Sequence, residues 1–127
     1  MERNEMVKRL SQLRDMKREV DELSQRIGRL EIESKGRAVA PGLEKARTLM
    51  EARRWACMEE LGSLYAFIDG IPDSRLRRIF SFRYIDGLSW LQVAFKIGEH
   101  DEQYPRRLHN RYIREVTLGE NRICRIV

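Results

Sequence analysis

Between Gln103 and Arg114 the chain carries four arginines, Arg106, Arg107, Arg111 and Arg114, and no acidic residue. Gln103, His109 and Asn110 lie among them. A guanidinium can bond bidentately to the O6 and N7 acceptors of guanine, and the amides of Gln and Asn can do the same for adenine. All can also donate to phosphate oxygens, and His109 is expected at a phosphate or packed at the edge of the helix. A helix so furnished carries the chemistry needed to read duplex DNA from the major groove.

The wider charge balance points the same way. The chain has 127 residues, 25 basic and 20 acidic side chains, and a net charge of +5. Residues 1–70 hold 14 basic and 13 acidic side chains, whereas residues 71–127 hold 11 and 7, so most of the excess lies in the second part. A basic block at one end of a chain is the electrostatic footprint of a polyanionic partner.

Other chemistry is poorly represented. Cys57 and Cys124 stand far apart, and His100 and His109 have no partner set with metal-ligand spacing. No paired carboxylates, Cys/His nucleophile arrangement or phosphate loop is present, so the sequence points to no enzyme, cofactor or metal. The Gly36-Arg37 stretch matches no P-loop spacing. No apolar run approaches the roughly 20 residues of a membrane span. The expectation is a cytoplasmic protein with reduced thiols.

The elements that must position the arginines follow from periodicity and capping. In the second part of the chain, Asp73 or Ser74 can cap a helix running to about Ile85, with Leu76, Ile79 and Phe80 inward and Gly87 closing it. Ser89 and Gln92 form a capping-box pair, flanked by Leu88 and Val93 at the staple positions. A short helix follows, with Trp90, Val93, Ala94 and Ile97 inward. Ala94 is small enough for a close helix crossing, and Gly98 supplies the positive φ of a tight turn. Asp101 then caps a second helix that admits Pro105 in its first turn. Leu108, Tyr112 and Ile113 face inward, which leaves Gln103, Arg106, Arg107, Asn110 and Arg114 outward. This is a helix-turn-helix pattern.

Residues 1–70 read differently. Leu13, Met16, Val20, Leu23, Ile27 and Leu30 alternate spacings of three and four, with Met6 extending the seam upstream and Arg9 interrupting it. This predicts a helix over 3–33. Gly36, Pro41 and Gly42 mark a loop at about 34–42. Leu43, Ala46, Met50, Cys57, Leu61, Leu64 and Ile68 predict a second helix over 43–69, ended at Gly70 and Pro72. Two helices of similar length fold back as an antiparallel coiled-coil hairpin about 40 Å long. Such a hairpin buries little, so its remaining surface is expected to meet a second copy of the chain or the C-terminal part, with Trp55 and Tyr65 as contacts. Those two residues would equally serve to broaden the hairpin's own core. The expected fold is thus all-α: a hairpin over 1–70, a helix-turn-helix domain over 71–116, and a tail over 117–127 with a break at Gly119.

The segment Ile71 to Gly98, with its core Arg83-Tyr-Ile-Asp-Gly-Leu-Ser-Trp90, Val93-Ala94 and Ile97-Gly98, followed by Arg106-Arg-Leu-His-Asn-Arg-Tyr-Ile113, resembles region 4 of bacterial sigma factors. It is more similar still to the sigma-like helix-turn-helix proteins of phages and prophages in Gram-positive bacteria, several of which have a coiled-coil segment upstream. The resemblance covers residues 71–113. It implies binding of double-stranded DNA by the second helix, a role as a transcriptional regulator, and contact with RNA polymerase. Two departures are visible. The turn from Gly98 to Arg106 is longer than in sigma factors, and Pro105 falls near the start of the recognition helix. Regions that would read a second promoter element or melt DNA have no counterpart. Two other roles compete with a regulator that forms homo-oligomers through its coiled coil. One is a DNA-packaging protein similar to a small terminase subunit, and the other is a protein-interaction adaptor.

Overall fold

The computed structural model describes residues 3–35 and 40–126, with side chains over 5–35 and 40–117. Every regular element among them is helical: α1 (Arg3–Ser11), α2 (Leu13–Glu33), α3 (Pro41–Asp69), α4 (Ser74–Phe80), α5 (Trp90–Lys96) and α6 (Gln103–Ile126). A π-helical turn, Ser81–Ile85, continues α4. No described helix is long and apolar enough to cross a membrane.

The helix expected over 3–33 is broken at Gln12. Ser11 Oγ donates to the carbonyl of Val7 at 2.7 Å, and Gln12 N bonds Arg9 O at 3.1 Å. A hydroxyl bonded back to the i−4 carbonyl bends a helix, and the i−3 bond tightens the turn. At the other boundary, Pro41 and Gly42 belong to α3 rather than to a loop. Proline suits a first helical position because its missing N–H has no intrahelical partner there. The amides of Leu43 and Glu44 both bond Ala40 O at 3.0 Å. Residues 36–39 of the expected loop lie outside the described residues.

The chain divides into two compact units, residues 15–63 and residues 1–14 together with 64–127. The expected division at residue 70 thus falls earlier, and the first 14 residues group with the C-terminal part.

In the unit 15–63, Leu23, Ile27, Cys57 and Leu61 are buried. Cys57 Sγ donates to Glu19 Oε1 at 3.5 Å, and Arg54 Nη1 donates to Ser24 Oγ at 3.3 Å. Residue order along α2 and α3 is therefore opposed at these contacts. Burial and the neighbouring Glu19 carboxylate push the Cys57 thiol up from its ordinary value. Leu43, expected in the seam, is exposed, as are Leu49, Trp55 and Met58.

The other unit is built around Phe80 and Ile79, both fully buried. Phe80 has the rings of His109, Tyr112, Tyr84 and Phe67 around it at 4.8, 5.6, 5.9 and 6.1 Å. Ile79 packs with Trp90, Val93 and Ile97, and Leu88, Tyr104 and Leu108 pack against that cluster. Complete burial of such a side chain contributes roughly 1.5–3 kcal/mol. α1 packs on α6, and Met6, Leu10 and Leu13 are buried in this unit rather than along a seam. The break expected at Gly119 is absent, because α6 runs on to Ile126. The side chains of the apolar end, Ile123, Cys124, Ile126 and Val127, lie outside the described residues.

Candidate nucleic-acid interface

The start of α5 is fixed by its own sequence. Ser89 N donates to Gln92 Oε1 at 2.9 Å, and Gln92 N donates to Ser89 Oγ at 3.2 Å. The reciprocal pair satisfies two backbone donors that a helix N-terminus leaves open. Leu88, just outside the cap, packs against the cluster that contains Val93.

The end of α5 is fixed as firmly. Gly98 has φ +84°, the left-handed region in which a Cβ is disfavoured. Glu99 N bonds Ala94 O at 2.8 Å, and Gly98 N bonds Phe95 O at 3.1 Å. These are the two bonds of a Schellman termination. Two arginines of α4 reach the same helix end. Arg75 Nη2 donates to Ile97 O and Arg78 Nη2 to Lys96 O, each at 3.3 Å. Cations at a helix C-terminus satisfy open carbonyls and oppose the dipole. Arg75 also donates to Tyr104 Oη at 2.8 Å, which ties α4 to the first turn of α6.

Asp101 caps α6, accepting from Gln103 N at 3.0 Å through Oδ1 and from Tyr104 N at 3.1 Å through its carbonyl. Pro105 follows as the third residue of the helix and is buried, in the first turn where its lack of an N–H is tolerated. Pro105, His109 and Ile113 then form the buried stripe, flanked by half-buried Leu108 and Tyr112.

That phase distributes the candidate residues. Gln103, Arg107, Arg111 and Arg114 lie on the exposed face, spaced three or four apart. Arg107, Asn110, Arg111 and Arg114 line one shallow groove. Arg107 Nη2 lies 3.9 Å from Asp101 Oδ2, a pair exposed enough to contribute little. Among the described residues Arg111 and Arg114 form no ion pair. Arg106 is exposed as well but sits on the flank, its guanidinium carbon 5.9 Å from the Trp90 ring centroid.

His109 is the correction. It is 2% exposed, its Nε2 is 2.5 Å from Tyr84 Oη, and its ring stacks on Phe80. Sitting one turn from both Pro105 and Ile113, it belongs to the core face and not to the exposed face of α6. Its Nδ1 is 3.0 Å from Asn110 Oδ1, so Asn110, half-buried, has its oxygen committed inward. Trp90, Val93, Ala94 and Ile97 are buried as expected.

Sequence reasoning missed Arg75, Arg78 and Arg83, which counted only as part of a basic block. Arg83 Nη1 donates to Leu88 O at 3.0 Å, and its guanidinium carbon lies 4.7 Å from the Trp90 centroid. These arginines direct donors to carbonyls of the fold, whereas among the described residues those of the exposed α6 face direct none to a carbonyl. Arg75 and Arg78, three apart on a short helix that ends before a second helix, were the available signal.

Comparison with known protein families, curated proteins and solved structures finds no match for this chain.

Proposed function

We propose that this chain is a sequence-specific duplex-DNA-binding protein in which α5, the Gly98 turn and α6 act as a helix-turn-helix, with α6 as recognition helix. The observation that carries the reading is the exposed face of Gln103, Arg107, Arg111 and Arg114 on a helix whose entry turn is held at both ends. Arginines there can reach guanine edges and flanking phosphates together. The similarity of residues 71–113 to sigma region 4 and to phage sigma-like proteins makes a transcriptional regulator the specific form of the proposal, with RNA polymerase as a further partner. Self-association through α2 and α3, arranged as an antiparallel hairpin, would set two recognition helices about one DNA turn apart on a palindromic site. The exposed Leu49, Trp55 and Met58 on α3 support that part.

The test is binding to duplex fragments from around the chain's own gene, followed by fluorescence anisotropy against salt. Wild type should bind selectively, with affinity falling steeply as salt rises. Arg107→Ala, Arg111→Ala and Arg114→Ala should each weaken binding. A phosphate-contacting arginine should lower the log–log salt slope by about 1, and a base-contacting one should relax selectivity. Binding indifferent to all three substitutions sinks the reading.

A further inference from the structure

Beside the recognition face lies a second basic feature that the proposed groove contact does not use. A pocket of about 290 Å³ opens between α1, the π-helical turn, α5 and α6. Arg83 and Arg106 contribute its charge, and no carboxylate among the described residues lines it. Both guanidiniums lie against the Trp90 ring, at 4.7 and 5.9 Å from its centroid. Contact with an aromatic face positions a cation while leaving its charge uncompensated by an acid.

The floor of the pocket is polar and held in one arrangement. Tyr84 Oη meets His109 Nε2, and His109 Nδ1 meets Asn110 Oδ1. With Oδ1 accepting from Nδ1–H, the tautomer of His109 is set and Tyr84 donates to Nε2. Asn110 is thereby turned so that its amide Nδ2 is the group left to donate. Val7 and Ser11 of α1 close the remaining side.

Two guanidiniums and an amide, set apart around one cavity, offer donors in several directions. That suits the tetrahedral oxygens of a phosphoryl group better than a planar carboxylate. We propose that the pocket between Arg83, Arg106, Trp90 and Asn110 binds a phosphate-class oxyanion. The group comes either from a free phosphomonoester or from the backbone of a bound duplex. Only the second source rests on the proposed DNA reading.

The full chain carrying Trp55→Phe keeps Trp90 as its one tryptophan, since the chain has two and Trp55 is 65% exposed. Trp90 emission is followed while inorganic phosphate, glycerol phosphate, succinate or a short duplex is added. The expected result is a saturable change with a phosphate-bearing ligand. It should weaken about tenfold or more in Arg106→Gln and stay unmoved in the charge-matched Arg18→Gln. Arg83 also bonds a fold carbonyl, so the exposed Arg106 is the deciding position.

Saturation by phosphate or glycerol phosphate identifies a free ligand, and it stands even where duplex binding fails altogether. Saturation by the duplex alone identifies a backbone phosphate. Three results overturn the proposal: no saturable change with any phosphate-bearing ligand, a response that survives Arg106→Gln, or an equal response to succinate.

Discussion

Tyr84 holds its proton under all but strongly alkaline conditions. Burial pushes its pKa from 10.0 up to about 12, against a smaller downward pull from Arg83. The folded state therefore favours the neutral phenol that His109 requires. A pKa raised on folding contributes stability that is intact below the unfolded value of 10 and is lost as pH rises through 12. Two pKa units correspond to roughly 2–3 kcal/mol. Tyr84→Phe deletes the hydroxyl and leaves a buried imidazole nitrogen without that partner, at a cost of about 1–3 kcal/mol near neutral pH. Urea unfolding of both chains should show a stability gap at pH 8 that closes between pH 10 and 12, because only wild type has the Tyr84 proton to lose. Burial of Tyr112, with help from Glu115, raises its pKa too, but equally in both chains. A constant gap across that window would mean that Tyr84 is not buried against His109. The inward placement of His109 was partly legible. Its spacing of four from Pro105 and Ile113 is a core signal, but a histidine among four arginines resembles its polar neighbours until the helix phase is known.

Elements whose ends are written in adjacent residues were the most legible. The Ser89–Gln92 box, the Asp73 and Asp101 caps and the left-handed Gly98 depend on groups within a few residues of each other, and each forms where the residue types predict. Tertiary choices were not legible in that way. The seam pattern runs through Met6 and Leu13, yet both residues are buried in the unit containing α6, because heptad spacing specifies an apolar face and not its partner. The turn between α5 and α6 offers two tests. Ala94 is fully buried, so Ala94→Leu should overpack the crossing and cost about 1–3 kcal/mol or more. Gly98→Ala meets open space but must keep φ +84°, so backbone strain alone should cost roughly 1–2 kcal/mol. Chemical denaturation of the two variants separates packing from strain. Wild-type stability in both would show that α5 and α6 are not joined as described.

At the scale of the whole molecule, the chain's first helix belongs with its last. Charge reinforces the division seen in packing: most of the basic excess sits in residues 71–127, and α6 displays part of it on a face that the fold's own acids leave largely open. α1 packs on α6, so the recognition helix proposed here depends on residues about a hundred positions upstream. Leu10 is 1% exposed, and Leu10→Ala should cost about 2–5 kcal/mol through lost burial and the cavity left behind. The loss should be local. Amide hydrogen exchange should show faster opening across residues 103–117, while the amides of residues 15–63, which belong to the other compact unit, keep their protection. In a coiled coil continuous from residue 6 to residue 30, where Leu10 flanks the seam, the same substitution would behave otherwise and loosen α2 and α3 first. Leu10→Ala therefore decides between the role the sequence predicts for these residues, first turns of the hairpin, and the one the structure gives them, packing on α6.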